Sequence, residues 1–261
     1  MRFQNKKRMG QHFLKDAYYI LQIIDNIDAS PSDTVVEIGP GLGVLTQHLI
    51  RQCKKLHVIE LDRDLIPSLL EQFGTTPHFQ VHQGDALKID YQTYYEDTLL
   101  KIVGNLPYNI STPLLFHLMQ FNSIVSDYTF MLQKEVVDRI TATPGSRAYG
   151  RLSVMLQIHC DTKSLFDVPP QAFSPPPQVN SAIVRLTPHT RYLSTIKDLN
   201  LFSALILTVF NQRRKTMKNN LKNYPIALES PSISHLLTLR PEDISVEQYI
   251  NIANLISDHA I

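Results

Sequence analysis

Three glycines at alternate positions are the first residues of the sequence that point to chemistry. They lie in Glu37-Ile38-Gly39-Pro40-Gly41-Leu42-Gly43, directly after a short β-branched run. Glycine accepts positive φ and lets a ligand approach the backbone, and parallel sheets bind ligands between a strand and the following helix N-terminus. The nicotinamide fingerprint G-x-G-x-x-G fails, because Val44 or Thr46 stands where its third glycine belongs. Taken alone, the segment is also compatible with a simple tight turn.

Two carboxylates follow the glycine segment at strand ends. Glu60 lies near the end of the predicted strand Leu56–Leu61, about 20 residues after the loop, where a carboxylate can accept both hydroxyls of a ribose. Asp85 follows the predicted strand Phe79–His82. Either residue alone is typical of a solvated charge or a turn, but their order on successive strands favours one site. The pattern E-x-G-x-G-x-G resembles the first motif of class I S-adenosylmethionine-dependent methyltransferases, which implies that Asp85 holds the adenine amino group of that cofactor.

The segment Asn105-Leu106-Pro107-Tyr108 follows the predicted strand Leu99–Val103 and resembles the [Asn/Asp/Ser]-x-Pro-[Tyr/Phe] motif of amino-methylating enzymes. The exocyclic amine of adenine is a poor nucleophile, because its lone pair is delocalised into the ring. The side-chain oxygen of Asn105 and the carbonyl of Leu106 can accept its two N–H groups and localise that pair. Pro107 fixes the turn, and Tyr108 can stack on the base and orient it. The alternative is a strand-to-helix turn with a packed tyrosine.

A proline-rich segment, Phe173-Ser174-Pro175-Pro176-Pro177-Gln178-Val179-Asn180-Ser181, is predicted to be stiff and extended. The functional interpretation makes Phe173 the second face of a base sandwich with Tyr108, in the way that base-modifying enzymes hold an extruded base. The plainer interpretation is a rigid connection between two strands.

Two basic segments contain no acidic residue, although the formal net charge of the chain is only +1. Residues 1–15 and 211–222 carry five positive charges each, and the other 15 positive and 24 negative charges give the remainder a balance of −9. The second segment predicts phosphate contacts, as opposed to a merely solvated face. The expected RNA-binding residues in it are Arg213, Arg214, Lys215, Lys218 and Lys222.

Strands that alternate with helices predict right-handed βαβ units and a parallel sheet over the first two thirds of the chain. The segment after the glycine loop is expected to be helical to about Cys53, with Asp62 and Ser111 as caps of the next helices. Beyond Pro188 only helical periods occur. The fold class is therefore an α/β, Rossmann-like sheet with a small all-helical C-terminal domain. We expect the domains to cover residues 1–190 and 191–261.

Composition excludes several classes of protein. Hydrophobic residues make up 43% of the 261 residues, which excludes wholesale disorder. The two cysteines, Cys53 and Cys160, form no metal-ligand spacing, so neither a disulfide framework nor a metal site is expected. No secretory signal and no membrane span is predicted. We expect a cytoplasmic protein.

Together these motifs closely resemble the bacterial small-subunit ribosomal RNA adenine N6,N6-dimethyltransferases, the kasugamycin-sensitivity family. The resemblance runs from Gly10 to about Leu221 and includes Gly10-Gln11-His12-Phe13-Leu14 and Tyr149-Gly150-Arg151-Leu152-Ser153. It implies a monomer that uses S-adenosylmethionine to dimethylate two adjacent adenosines in the 3′-terminal hairpin loop of 16S rRNA, within a pre-assembled 30S particle. The expected cofactor contacts are His12, Leu14, Gly39, Gly41, Gly43, Glu60, Leu61, Asp85, Ala86 and Asn105.

One residue departs from this pattern, since the family often has Asn where this chain has His12.

Three other functions are alternatives to this one. The large-subunit adenine dimethyltransferases share the first motifs, but the Arg213-Arg214-Lys215-Thr216 segment and the length of the C-terminal domain favour the small-subunit enzyme. An assembly or transcription factor on the same scaffold need not keep Asn105. A nicotinamide-linked oxidoreductase is disfavoured by the glycine spacing.

Overall fold

The computed structural model describes residues 12–224 and 228–259. The chain divides into two compact units, which separate after residue 137, after residue 162 and again after residue 188. The first unit contains residues up to 137 together with 163–188, and the second contains 138–162 together with 189 onwards. This differs from the two consecutive domains expected from the sequence, because residues 138–162 group with the C-terminal helices.

The first unit is organised around a mixed sheet. In chain order, the strands of the described residues are β1 (Phe13–Leu14), β2 (Thr34–Ile38), β3 (Lys55–Glu60), β4 (Phe79–Gln83), β5 (Leu100–Asn105), β6 (Val125–Gln133), β7 (Cys160–Val168), β8 (Phe173–Ser174) and β9 (Ser181–Pro188). Seven of them form one sheet in the order β4-β3-β2-β5-β6-β9-β7, while β1 and β8 form an antiparallel pair of their own. The five neighbouring strands at one side of this sheet, β4, β3, β2, β5 and β6, are parallel to one another.

The last strand corrects the expectation of a fully parallel sheet, because β9 runs antiparallel to β6. The chain reaches β9 from β7, its other neighbour in the sheet, through the proline-rich segment, which contains only a short 3-10 turn and the two-residue strand β8. A connection without a crossover helix favours antiparallel pairing of the two strands that it joins.

The buried strands read as apolar runs because helices cover both faces of such a sheet. All five residues of β2 are buried, as are the last five of β3. The first helix follows its sequence pattern closely: Asp16 accepts the amide of Tyr18 at 2.9 Å. The four isoleucines of its inner face are Ile20, Ile23, Ile24 and Ile27, and all pack into the core. The predicted helix and its cap are therefore confirmed.

The helices of the described residues are α1 (Ala17–Ile27), α2 (Thr46–Leu49), α3 (Ile66–Phe73), α4 (Ser111–Leu118), α5 (Lys134–Ile140), α6 (Arg151–Gln157), α7 (Leu199–Asn211), α8 (Met217–Asn220) and α9 (Val246–Ser257). The helix after the glycine loop is shorter than predicted. It ends four residues before Cys53, and the amide of Lys54 then donates to the carbonyl of Asp33 at 2.9 Å, which leads the chain into β3.

Two predicted helix caps were wrong. Asp62 accepts the amide of Asp64 at 3.1 Å in a separate turn, and α3 begins later, without a side-chain cap. Ser111 is the first residue of α4 and donates its hydroxyl to the carbonyl of Tyr108 at 3.1 Å. In both places the polar side chain forms a hydrogen bond within a local turn after the strand, instead of capping the helix that follows.

In the described part of the second unit, the regular elements are helices, apart from the beginning of β7. Asp198 caps α7 by accepting the amides of Asn200 and Leu201, and Ser245 caps α9 by accepting the amide of Gln248. Helix α7 packs against α9 and also against α6, which is why residues 138–162 belong to this unit. Within the part of the chain that the structure describes, no helix is long and apolar enough to cross a membrane.

The third glycine of the loop has a structural reason for its type. Gly43 has a φ of +80°, and a Cβ atom there would lie 2.7 Å from Cε2 of Phe73 on α3. Gly39 also has a positive φ, +68°, but a Cβ atom there would make an ordinary contact of 3.7 Å. Gly43 therefore allows close packing of the loop against α3.

We predict that Gly43→Ala destabilises the first unit more than Gly39→Ala does. Both variants force alanine into a left-handed conformation, but only Gly43→Ala adds the overlap with Phe73, so the difference should be at least about 1 kcal/mol. Urea unfolding of the two variants measures it. Equal destabilisation would show that α3 moves away without cost.

Candidate active site

Four of the predicted site residues come together because four neighbouring strands are parallel. Gly39 follows β2, Glu60 ends β3, Asp85 follows β4 and Asn105 ends β5. The order β4-β3-β2-β5 places these carboxyl ends side by side at one edge of the sheet, and adjacent strands lie about 4.8 Å apart. This edge is where open α/β sheets bind ligands.

A pocket opens at this edge, beside β1. It is lined by His12, Phe13, Leu14, Glu37, Gly39, Pro40, Gly41, Leu42, Val44, Leu45, Glu60, Asn105, Leu106, Pro107 and Tyr108. The predicted site residues among these are His12, Leu14, Gly39, Gly41, Glu60, Asn105, Leu106, Pro107 and Tyr108. The glycine loop and the Asn105–Tyr108 segment thus share one cavity, although Gly41 and Asn105 lie 64 positions apart in the sequence.

The glycine loop has the conformation predicted from its sequence. Gly39, Gly41 and Gly43 all have positive φ, at +68°, +59° and +80°. The amide of Gly39 donates to the carbonyl of Ile59 at 2.9 Å, which ties the start of the loop to β3. A Cβ atom at Gly41 would lie 3.2 Å from the ring of Phe13. The loop therefore packs closely against β1 while its backbone remains at the pocket wall.

Glu60 is held in place by two backbone amides. Its Oε1 accepts the amide of Asp62 at 2.8 Å, and its Oε2 accepts the amide of Gly41 at 3.2 Å. Burial raises the pKa of this carboxyl, while the two amides partly offset that effect. Each carboxylate oxygen has more than one lone pair. The residue is therefore oriented in advance and can still accept hydroxyl groups from a ligand.

Glu37 also lines the pocket, although sequence reasoning placed it in the loop motif without giving it a role. Its side chain is 1% exposed, and Oε2 accepts the hydroxyl of Thr46 at 2.6 Å. Burial raises its pKa to about 7, the hydrogen bond from Thr46 opposes that rise, and the nearby Glu60 adds to it. The sequence feature that could have predicted Glu37 as a pocket residue is its position as the first residue of E-x-G-x-G-x-G.

The Asn105 amide is oriented by a backbone carbonyl. Its Nδ2 donates to the carbonyl of His12 at 3.3 Å, so its Oδ1 is the atom available as an acceptor for a ligand. The amide of Leu106 donates to the carbonyl of Met131 at 3.2 Å and fixes the end of β5 against β6. The hydroxyl of Tyr108 is 2.7 Å from that of Ser181, and burial raises the pKa of the Tyr108 phenol.

Four of the predicted cofactor residues lie outside the pocket lining. Gly43 packs against α3, and Leu61 is 55% exposed. Asp85 is half-buried at the same sheet edge, and one of its carboxylate oxygens accepts the amide of Leu87 at 3.1 Å. Ala86 is buried, and its carbonyl accepts the hydroxyl of Tyr91 at 3.1 Å. A contact from these residues to a cofactor stays a prediction.

The prediction for Phe173 needs correction. Its side chain is only 1% exposed and belongs to the core, not to the pocket lining. The physical reason is the pairing of β8 with β1, in which Phe173 lies opposite Leu14. This pairing turns the ring into the core, so it does not present a face to a base beside Tyr108.

The predicted RNA-binding residues of the second unit differ from one another in their contacts. They lie in the turn after α7 and in and after α8, not on one continuous basic helix. Arg213 donates to the carbonyl of Arg147 at 2.7 Å and pairs with Glu242 at 3.4 Å. In contrast, four exposed side chains make no side-chain hydrogen bond or ion pair with any described residue: Arg214, Lys215, Lys218 and Lys222. The described residues do not include the basic residues of the N-terminal arm before His12, nor Gly10-Gln11.

A model of the family described as "Ribosomal RNA adenine dimethylase" matches residues 2–258 of this chain. The chain belongs to the ribosomal RNA adenine dimethylase family. A curated family relative, "Ribosomal RNA small subunit methyltransferase A" of Saccharophagus degradans, is 50% identical over 250 residues, which is 95% of this chain and 93% of the relative.

Two solved structures show that this family member has the class I methyltransferase fold. A dimethyladenosine transferase from Plasmodium falciparum has a TM-score of 0.83 and 25% identity, with 96% of this chain and 99% of that chain covered. The 23S rRNA methyltransferase ErmE has a TM-score of 0.72 and 23% identity, with 94% and 99% covered, and it supports the fold alone. The expected α/β, Rossmann-like fold class is confirmed.

We predict that Glu37 makes the unliganded protein less stable as pH rises from about 4.5 to 7. The folded protein keeps a proton on Glu37 that the unfolded chain, with a pKa near 4.5, has already released, so unfolding releases a proton in this window. The total loss of stability is about 3 kcal/mol. Thermal unfolding of the wild type and Glu37→Gln between pH 5 and 8 measures it. The stability of Glu37→Gln relative to that of the wild type should increase as the pH rises towards 8. Parallel stability curves for the two proteins would contradict the raised pKa of Glu37.

Proposed function

We propose that this protein transfers methyl groups from S-adenosylmethionine to N6 of two adjacent adenosines in the 3′-terminal hairpin loop of small-subunit rRNA. The observation that carries the proposal is that Asn105-Leu106-Pro107-Tyr108 and the glycine loop line the same pocket. Membership of the ribosomal RNA adenine dimethylase family supports the reaction. The name of the relative at 50% identity supports the small subunit as the source of the RNA.

The residues of the pocket fit the cofactor. Carboxylate oxygens on Glu60 can accept the two ribose hydroxyls, and Gly39 and Gly41, which line the pocket, allow a ligand to approach the backbone of the loop. The family resemblance implies that Asp85 binds the adenine amino group, and that His12 and the backbone near Leu14 bind the amino-acid end. When bound, S-adenosylmethionine supplies a methyl group on a positively charged sulfur. Among the described residues no group of three or more His, Cys, Asp or Glu side chains could hold a metal ion.

The chain's contribution to the chemistry is to activate and orient the amine. Asn105 Oδ1 and the Leu106 carbonyl accept the two N–H groups of the adenine amine, which concentrates the lone pair on nitrogen. The cofactor, held by the glycine loop and Glu60, would supply its methyl group to that nitrogen, and the methylated amine, which is strongly acidic, would then release its proton to water. No side chain is needed as a strong base. Tyr108, fixed through Ser181, orients the plane of the base.

The substrate we propose is the RNA within a pre-assembled 30S particle, bound by a monomer of this protein in the cytoplasm. Arg214, Lys215, Lys218 and Lys222 are exposed and have no ion-pair partner among the described residues, so they are suited to contact its phosphates. Arg213 is less suited, because its guanidinium is already bound to Arg147 and Glu242.

We predict that Asn105→Ala lowers the rate of methyl transfer by about 100-fold or more, since it removes a group that stabilises charge developing in the transition state. Affinity for the 30S particle should change little, because phosphate contacts provide it. Single-turnover transfer to undermethylated 30S particles and a parallel binding titration measure the two quantities. Asn26→Ala, on α1, is the matched control. Near wild-type transfer by Asn105→Ala would exclude the proposed role of the amide.

We predict that Lys218→Ala weakens binding to the 30S particle and makes its salt dependence shallower by about one unit in log K against log[salt], as expected for one lost phosphate contact. Lys54→Ala, an exposed lysine of the first unit, is the control and should leave the slope unchanged. A slope for Lys218→Ala that equals that of the wild type would place the RNA elsewhere on the molecule.

A further inference from the structure

Residues 84–89, here called the Asp85 loop, follow β4 at the sheet edge that holds the pocket. The amide of Gly84 donates to the carbonyl of Glu60 at 3.0 Å, so the beginning of the loop is tied to a pocket residue. Oδ1 of Asp85 accepts the amide of Leu87 at 3.1 Å. Oδ2 of Asp85 accepts no hydrogen bond from the described residues, so it remains available as an acceptor for a ligand.

The far end of the Asp85 loop is held by a side chain from α4. Nε2 of His117 lies 2.9 Å from the carbonyl of Ile89, and a carbonyl can only accept, so Nε2 donates. Ile89 in turn closes on the start of the loop, since a Cβ atom at Gly84 would lie 3.1 Å from its Cδ1. The hydroxyl of Tyr91 donates to the carbonyl of Ala86 between these two points, at 3.1 Å. His117 is therefore the long-range support of the loop.

His117 is itself fixed by packing. Its ring contacts those of Tyr91 and Phe121, with centroids 5.9 and 5.4 Å away. The helix that carries it is anchored at its other end, where the hydroxyl of Ser111 donates to the carbonyl of Tyr108 at 3.1 Å. Helix α4 thus leads from the pocket segment that ends at Tyr108 to the end of the Asp85 loop.

We propose that His117 is a positioning residue for the cofactor, which holds the Asp85 loop where Oδ2 of Asp85 accepts the adenine amino group of S-adenosylmethionine. This inference rests on the proposed function. His117 is not among the residues that line the pocket, so it acts through the loop. A binding group orients its ligand well only when packing and hydrogen bonds fix its own position. Displacement of the loop therefore weakens the hold on adenine and leaves the chemistry at Asn105 unchanged.

Two variants separate the hydrogen bond of His117 from its ring, because both lose the ring and only one keeps a donor. His117→Leu should weaken binding of S-adenosylmethionine by about fivefold, as expected for one lost hydrogen bond, and His117→Gln should recover most of that affinity. Calorimetry without RNA measures both. His78→Leu is the matched control, because Nε2 of His78 donates to the carbonyl of Ile50 at 2.8 Å, also across 28 positions, and His78 precedes β4 at the opposite end of that strand.

A second ligand shows whether the effect of His117 passes through the adenine amine. The probe is an analogue of S-adenosylmethionine that carries hydrogen in place of the adenine amino group. The wild type should bind it more weakly than S-adenosylmethionine, and His117→Leu should lower its affinity by less than about twofold, since the contact with Asp85 is already absent. In methyl transfer to undermethylated 30S particles, His117→Leu should raise KM for S-adenosylmethionine and leave kcat within about twofold.

Three results would overturn the proposal: unchanged affinity in His117→Leu, equal losses of affinity for the two ligands, or equal binding of both ligands by the wild type. Wild-type protein that binds S-adenosylmethionine and does not methylate 30S particles would instead contradict the proposed function. Thermal unfolding shows whether each variant is folded. If His117→Leu is not, His117→Asn, whose amide does not extend as far as Nε2, takes its place in the same comparison.

Discussion

Parallel pairing of β2 with β3 on one side and with β5 on the other decides where the polar residues of the pocket lie. In that register Ile38 is opposite Ile59 on β3 and Gly104 on β5, so the residues that follow each strand leave the sheet at the same level. The amide of Gly39 bonds to β3, that of Gly41 bonds to Glu60, and Asn105 is the next residue after Gly104. The glycine loop and the Asn105–Tyr108 segment, to which we assign the cofactor and the amine, become neighbours for this reason.

This arrangement buries two acidic side chains, Glu37 and Glu60, and their burial has an energetic cost. Glu37 and Glu60 are both nearly inaccessible to solvent, and both have raised pKa values because of burial. Hydrogen bonds from Thr46 and from the amides of Gly41 and Asp62 offset part of that cost. The pocket is thus ordered before a ligand arrives, as a site needs to be if it orients reactants rather than merely collecting them.

The sequence contained the local features of the fold and of the site but not the long-range ones. The isoleucine spacing and the Asp16 cap of α1 follow from helical periodicity, and the positive φ angles of the loop follow from its glycines. The burial of Phe173 does not, because it arises when a two-residue strand pairs with Leu14, about 160 positions earlier, and such short strands have no period. The ion pair between Arg213 and Glu242 and the ring contact between His12 and Tyr108 also join residues that are far apart in the sequence, so no local pattern predicted them.

The central claim is that one pocket brings a methyl donor to the amine of a small-subunit adenosine. Labelled methyl transfer from S-adenosylmethionine to small ribosomal subunits that lack the modification, followed by nucleoside analysis of their RNA, tests it most directly. The predicted result is label in N6,N6-dimethyladenosine alone, at two adjacent residues of the 3′-terminal hairpin loop. Label in large-subunit RNA, in a different methylated nucleoside, or in neither subunit would contradict the account.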